Sequence, residues 1–152
     1  MSMRSYQNSA QRLLKCFCGC REMTVDEVQR IYQFSVQETL INRQGLALLK
    51  SFLQQARSGD KSTTEQFVEV YEQCGQYMRA NAAILTLDEL DVLVDKGLPY
   101  HLEKELHNQI QTGDSDNITR CLFRIQGEMR NSIELSGEYK EYKNAILEKL
   151  NQ

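Results

Sequence analysis

The chain has 152 residues, a length that suits one domain with its own hydrophobic core. Hydrophobic residues make up 41% of it and charged residues 26%, with a formal net charge of −3. Without a basic excess, the composition argues against nucleic-acid binding, which depends on clustered lysine and arginine. No apolar run approaches the roughly 20 residues of a membrane-spanning helix, and the N-terminus shows no secretory apolar region. We therefore expect a cytoplasmic protein without nucleic-acid partners.

Five cysteines divide into a cluster and two single residues. Cys16, Cys18 and Cys20 lie in the segment KCFCGC, whereas Cys74 and Cys121 lie singly within helical patterns. A secreted disulfide framework normally has an even number of cysteines spread along the chain. We therefore expect a reducing compartment, with Cys74 and Cys121 packed as small apolar residues.

The clustered cysteines follow residues 4–15, which can form a short amphipathic helix. Two interpretations compete for this N-terminal segment. In the first, Cys16, Cys18 and Cys20 are lipid attachment sites that bind the segment to a membrane surface. Several acyl chains with basic residues nearby are physically sensible, because one acyl chain binds membranes only marginally. In the second, the helix packs on the domain and ends at Gly19, and the thiols are incidental.

Zinc binding is a third interpretation of the cysteine cluster. Structural zinc sites usually use Cys-x₂₋₄-Cys with a second pair of ligands, whereas the spacing here is Cys-x-Cys-x-Cys. Only the fold could bring His101 and His107 close enough to supply that pair. We therefore assign no metal site and no cofactor to the chain.

Helix signals begin at Thr24, which forms a capping box with Glu27 and opens a predicted helix over residues 24–41. A second helix with a denser apolar face is predicted over residues 45–57. The two are expected to form a pair joined at residues 42–45.

Further helices follow to the C-terminus. Capping boxes at Ser62 and Thr86 predict helices over residues 62–79 and 86–97, and Pro99 precedes a helix that ends near Thr112. Asp114 begins the next helix, residues 131–137 are a predicted break, and the last helix covers residues 139–150. Residues 81–85 are a predicted turn. No stretch shows sustained strand alternation.

The sequence thus predicts an all-α protein with one helical bundle of about eight or nine helices. One proline and no tryptophan in 152 residues agree with long helices. The predicted domain covers residues 24–152 and follows a cysteine-rich N-terminal segment, residues 1–23.

No catalytic constellation is evident, and no glycine-rich phosphate loop is present. His101 and His107 are six residues apart and so face different sides of one helix, whereas metal pairs on helices are three or four apart. One helix edge is acidic, which is typical of a solvated face: Asp88, Glu89, Asp91 and Asp95. We therefore expect no catalytic residues and no enzymatic activity of the chain's own.

Two motifs in residues 24–53 suggest a family. The first is Asp26-Glu27-Val28 with Ile31-Tyr32, and the second runs from Gly45-Leu46 to Phe52-Leu53, with Leu40 between them. They resemble the opening helices of the regulator-of-G-protein-signalling (RGS) family. Weaker similarities follow at Phe67, Tyr71 and Cys74, at Cys121 to Met129, and at Tyr139 to Tyr142, and the cysteine-rich N-terminus is similar to that of several members.

The resemblance implies an RGS-like fold that binds a G-protein α subunit or a replacement partner. It also implies a location in the cytoplasm, at the inner face of the membrane where the N-terminal segment attaches. In the family, the domain stabilises the switch loops of the α subunit and adds no catalytic group to the GTP. The positions that correspond to family contacts are Ser58, Asp60, Lys61, Ser62, Asn131 and Ser132.

The chain departs from the family at those contacts. Classical members have Ser-Glu-Glu-Asn-Leu-x-Phe-Trp where residues 58–63 are SGDKST, without the Glu-Asn pair or the tryptophan. In the family, preorganised polar contacts with the α subunit accelerate its GTP hydrolysis. Because this chain lacks those contact residues, the resemblance implies weak or absent GTPase activation. The alternative is a helical adaptor unrelated to G proteins, which binds partners in a groove between helices.

Overall fold

The computed structural model describes residues 12–80 and 85–152. In this part of the chain, eight helices and two short strands follow in order: β1 (Leu13–Lys15), β2 (Glu22–Thr24), α1 (Val25–Tyr32), α2 (Val36–Ile41), α3 (Arg43–Ala56), α4 (Thr63–Ala80), α5 (Leu87–Lys96), α6 (Tyr100–Thr112), α7 (Ser115–Leu135) and α8 (Gly137–Leu150). The predicted all-α character is confirmed. The described residues divide into two compact units, one of residues 12–61 with 136–152 and the other Ser62–Leu135.

The first unit contains the β-hairpin, α1 to α3 and the last helix, α8. The helices α1 and α3 both contact α8, and α2 contacts α3. Their apolar faces form a core in which Leu49, Tyr142 and Ile146 are fully buried. The side chain of Lys143 donates hydrogen bonds to the carbonyl oxygens of Tyr32 and Phe34, which satisfies acceptors left open where α1 ends.

The second unit contains α4 to α7. Each of these helices contacts the next, and α4 packs along α7, which closes a four-helix arrangement. The amide Nε2 of Gln126 donates to the carbonyl oxygen of Tyr71 at 3.1 Å and so links α7 to α4. Fully buried apolar residues of all four helices form the core, including Cys74, Leu93, Leu102 and Leu122.

The predicted helix boundaries in the second unit are largely confirmed, because they depend on local hydrogen bonds. Ser62 and Glu65 exchange both bonds of a capping box, at 3.2 and 3.3 Å, and Thr86 and Glu89 do the same at 3.3 and 3.0 Å. Gly97 has a left-handed φ of 110° after α5, as expected of a C-terminal glycine.

The predicted N-terminal helix is wrong where the structure describes it. Residues 13–15 form β1, which pairs with β2 in an antiparallel register that places Leu14 opposite Met23. Leu14 is buried while Lys15 is exposed, an alternation of period two that suits a strand rather than a helix. Residues 4–11 of the predicted helix lie outside the described residues, as do residues 81–84 of the predicted turn.

One predicted helix limit is wrong and another is too wide. The single helix over residues 24–41 is divided at residues 33–35, because Ser35 forms a capping box with Glu38 and starts α2. The break predicted within residues 131–137 is present, but it is confined to Ser136, because residues 131–135 form the last turn of α7. Ile133 continues the buried four-residue spacing of this helix, which ends only before Ser136 caps α8.

We predict that Leu49→Ala lowers the free energy of unfolding by about 2–5 kcal/mol. The Leu49 side chain is 0% exposed, so its truncation leaves a cavity in the core of the first unit. Ile41→Ala is the matched control, because Ile41 is 68% exposed and its truncation should change stability by no more than about 0.5 kcal/mol. Urea unfolding followed by circular dichroism measures both variants, and equal costs would contradict the assigned core.

We predict that Tyr142→Phe stabilises the protein by about 1 kcal/mol. The Tyr142 hydroxyl is buried and has no hydrogen-bond partner among residues 12–80 and 85–152, so removing it relieves a desolvation penalty while keeping the ring. Tyr139→Phe is the control, because the Tyr139 hydroxyl lies 3.4 Å from the hydroxyl of Thr39 and its loss should destabilise. The same denaturation experiment applies, and a destabilised Tyr142→Phe variant would show that its hydroxyl has a partner.

Candidate functional site

Three cysteine sulfurs converge at the tip of the hairpin in the first unit. The Sγ atom of Cys16 lies 3.2 Å from that of Cys18 and 3.6 Å from that of Cys20, and the last two are 2.6 Å apart. All three are free thiols. Among the described residues, this is the one group of Cys, His, Asp and Glu side chains arranged to hold a metal ion.

The hairpin explains why these sulfurs meet. The Cys16 N–H donates to the Arg21 carbonyl at 3.0 Å, and the Gly19 N–H donates to the Cys16 carbonyl at 3.1 Å, which closes the loop. Gly19 has a φ of +79°, a left-handed conformation that a residue without Cβ adopts readily. The chain therefore reverses within residues 17–20, and the loop brings the three sulfurs within reach of one another.

The residue between the first two cysteines anchors the loop. The Phe17 ring packs edge-on against the Phe52 ring, with 5.2 Å between centroids, and lies 6.3 Å from the Tyr142 ring. The Phe17 N–H donates to the Ser51 hydroxyl at 3.3 Å, and the Lys149 ammonium lies 4.8 Å from the Phe17 centroid. These contacts tie the cysteine loop to α3 and α8.

The cluster favours a negative charge on Cys16. Burial raises the pKa of the Cys16 thiol, but hydrogen bonds from Cys18 and from the Arg21 backbone outweigh burial and lower it to about 6. The hydrogen bond with Cys18, together with that with Cys16, raises the pKa of Cys20 to about 11. The Cys16 thiol therefore loses its proton more readily than the Cys20 thiol.

A pocket of about 250 Å³, part of it open to solvent, lies beside the cluster. Cys16 and Cys20 form one side of it, and Met23 and Leu48 contribute apolar surface. The Arg21 side chain is its one cationic lining group. The pocket thus offers sulfur ligands beside a partly apolar wall.

The predicted lipid attachment sites differ in accessibility. Cys18 and Cys20 are exposed, whereas Cys16 is buried, with 5% of its surface exposed. An acyl group can reach the first two residues in this conformation, but not Cys16. Among the described residues, no helix combines the length and apolar character needed to cross a bilayer.

The predicted partner-binding residues fall in separate places. Ser58, Asp60 and Lys61 lie in an exposed loop after α3. The Ser62 hydroxyl accepts the Glu65 N–H and so helps to start α4. Asn131 and Ser132 lie in the last turns of α7, where Asn131 is exposed and Ser132 half-buried. Ser58, Asp60 and Lys61 thus belong to the first unit, and the other three residues belong to the second.

The remaining candidates have structural explanations. His101 is exposed and pairs with Glu128, with 3.0 Å between Nε2 and Oε1, and His107 is half-buried. The acidic edge of α5 is largely exposed, and its Glu89 carboxylate accepts from the Thr86 N–H. The prediction of a solvated acidic face is confirmed, and the histidines are a surface residue and a partly packed one.

Compared with known proteins, the chain matches no family model, no curated protein and no solved structure. Functional inference therefore depends on the residues and contacts of the chain itself.

We predict that Cys74 and Cys121 resist alkylation until the protein unfolds. Both are buried, and burial raises the pKa of Cys74 to about 12 and that of Cys121 to about 11, so little thiolate forms at pH 8. Iodoacetamide labelling with peptide mass spectrometry measures this, with the exposed Cys18 as internal control. Labelling of Cys74 at the rate of Cys18 without urea would contradict the assigned burial.

Proposed function

We propose that the chain is an RGS-like helical interaction domain. It binds a G-protein α subunit or a replacement partner, and its GTPase activation is weak or absent. One observation carries the proposal: segments that resemble the family, although far apart in sequence, pack against each other within each compact unit.

In the first unit, the early and late segments of the resemblance meet. The Phe52 ring of α3 lies 5.8 Å from the Tyr142 ring of α8. The hydroxyls of Thr39 and Tyr139 are 3.4 Å apart although the residues are 100 positions apart in the chain. The two ends of the described chain also meet, because the Arg12 guanidinium donates to the carbonyl oxygen of Gln152.

In the second unit, the two weaker segments are adjacent. Tyr71 in α4 accepts a hydrogen bond from Gln126 in α7 through its backbone carbonyl. Cys74 and Cys121 both belong to the core cluster that α4 and α7 share. Segments that are far apart in the sequence therefore pack into the same hydrophobic core within a unit. This supports the proposal of an RGS-like domain.

The expected weakness of activation follows from the loop of residues 58–61. Its side chains are exposed, and it lacks the Glu-Asn pair that the family presents to the α subunit. A Ser-Gly-Asp-Lys loop offers one carboxylate and one ammonium instead of an amide, so the polar contacts that hold the switch loops are different. The domain can therefore still bind the α subunit without accelerating its GTP hydrolysis.

Membrane association, the remaining part of the proposal, depends on Cys18 and Cys20. Both thiols are exposed, and two acylated positions give stable attachment where one does not. Cys16 contributes only if the hairpin opens.

We predict that the protein binds an inhibitory-class α subunit about equally in its GDP–aluminium fluoride and GTP-analogue states, and that single-turnover GTP hydrolysis changes by less than about twofold. A preference for the transition-state analogue would itself accelerate hydrolysis. A pull-down against the α subunit in GDP, GDP–aluminium fluoride and GTP-analogue states compares the affinities. Asp60→Lys reverses the charge of the proposed contact loop and should weaken binding about tenfold, about 1.4 kcal/mol. Asp95→Lys makes the same change on the exposed edge of α5 and should leave binding unchanged.

Two outcomes would overturn this proposal in different ways. Acceleration of hydrolysis by more than about tenfold at micromolar protein would disprove weak activation. Absence of binding in all three nucleotide states would remove the α subunit as partner and favour the helical adaptor.

A further inference from the structure

We propose that Cys16, Cys18 and Cys20 bind one Cu(I) ion through their three sulfur atoms. The site lies within the first unit and does not rest on G-protein binding, although it uses Cys18 and Cys20, the two thiols of the proposed membrane attachment. Nothing in the proposal depends on a G protein.

The first argument is the convergence of the sulfurs. The three Sγ–Sγ distances are 2.6, 3.2 and 3.6 Å, so the sulfurs converge more closely than the edges of a three-coordinate metal site require. With metal–sulfur bonds of about 2.3 Å, such a site has edges of about 4 Å. Because Cys18 and Cys20 are exposed, small side-chain rotations can open the triangle around an ion while Cys16 stays in place.

The second argument concerns the kind of ion. Thiolate ligands are soft and select Cu(I) or zinc among the common metal ions. Structural zinc sites are almost always four-coordinate, and among the described residues no fourth Cys, His, Asp or Glu joins the cluster. Residues 1–11 and 81–84 contain none of these four residue types either. A set of three sulfurs fits Cu(I), a soft monovalent ion that accepts three thiolate ligands without a fourth.

The third argument is the support around the sulfurs. The Cys16 N–H donates to the Arg21 carbonyl at 3.0 Å, and the Gly19 N–H donates to the Cys16 carbonyl at 3.1 Å, so backbone hydrogen bonds hold the residue that carries the first ligand. Such contacts orient metal ligands and strengthen binding. The Phe17 ring fixes the loop on α3 and α8, and Met23 and Leu48 in the adjacent pocket limit the access of water.

The charge balance also suits the site. Binding exchanges the thiol protons for the metal ion, so one Cu⁺ with three thiolates carries a net negative charge. The Arg21 side chain, which lines the adjacent pocket, offsets part of it. Without an oxidant the copper stays Cu(I) and no disulfide is formed.

The test is a competition for Cu(I) against the chromophoric chelator bicinchoninate, under anaerobic conditions with a phosphine reductant. The full chain made in bacteria, where acylation is absent, should withdraw one equivalent of Cu(I) from the chelator. Cys18→Ser and Cys20→Ser should each weaken binding by at least about 100-fold, because even changes outside the ligand set cost 10–100-fold. Both residues are exposed, so these variants keep the fold.

Cys74→Ala is the matched control, because it removes a thiol from the chain but leaves the cluster intact. It should retain full copper affinity, with circular dichroism as the check that every variant is folded. A parallel titration with zinc against a chromophoric zinc chelator tests the choice of ion. Tighter retention of zinc than of copper would overturn the assignment, and so would equal copper affinity in wild type and Cys18→Ser.

Gly19→Ala tests whether the hairpin positions the sulfurs. A Cβ at this position meets no atom within 4 Å, so the variant changes only the cost of the left-handed conformation. Copper affinity should fall about tenfold although all three ligands remain. Unchanged affinity would show that the sulfurs bind copper, if at all, as a flexible peptide, and would overturn the preformed site.

Discussion

Three aromatic rings hold the first unit together. Phe17 from the hairpin loop, Phe52 from α3 and Tyr142 from α8 meet with centroid separations of 5.2 to 6.3 Å. Edge-on and tilted aromatic pairs of this kind contribute about 0.5–1.5 kcal/mol beyond the area that they bury. The cluster joins segments from the start, the middle and the end of the chain, so it fixes the loop that carries the cysteines. Without the Phe17 ring in this position, a two-stranded hairpin with three paired residues would be only marginally stable.

Anchoring Phe17 decides what the neighbouring thiols can do. Cys16 is held buried with backbone hydrogen bonds, whereas Cys18 and Cys20 remain accessible. A lipid and a metal ion cannot share a sulfur, because a thioester removes the negative charge that a metal ligand needs. Acylation suits only the two exposed thiols, while the proposed copper site uses the buried one as its fixed ligand. The two proposed modifications therefore exclude each other at Cys18 and Cys20.

Sequence patterns correctly predicted the helix ends that depend on hydrogen bonds between neighbouring residues. They failed for the very short strands and for the division between α1 and α2. The capping boxes at Ser62 and Thr86 and the glycine ends at Gly97 and Gly113 need only nearby residues, and they were confirmed. The hairpin was missed because three paired residues are too few for a period-two pattern to show. The division before α2 was missed because the Ser35–Glu38 capping box lies inside an apolar pattern that continues across it.

The predicted contact positions differ in how far they also serve the fold. The family resemblance consists mostly of buried residues such as Val28, Leu49 and Tyr142, and one core can support many surfaces. Ser62, one of the corresponding contact positions, is occupied in the capping box with Glu65. Replacing its hydroxyl would weaken the start of α4 as well as any contact, so a loss of binding there would not distinguish the two roles. Asp60 lies exposed in the loop and takes no part in the capping box. A substitution of Asp60 therefore tests partner binding without weakening the start of α4, whereas a substitution of Ser62 does not.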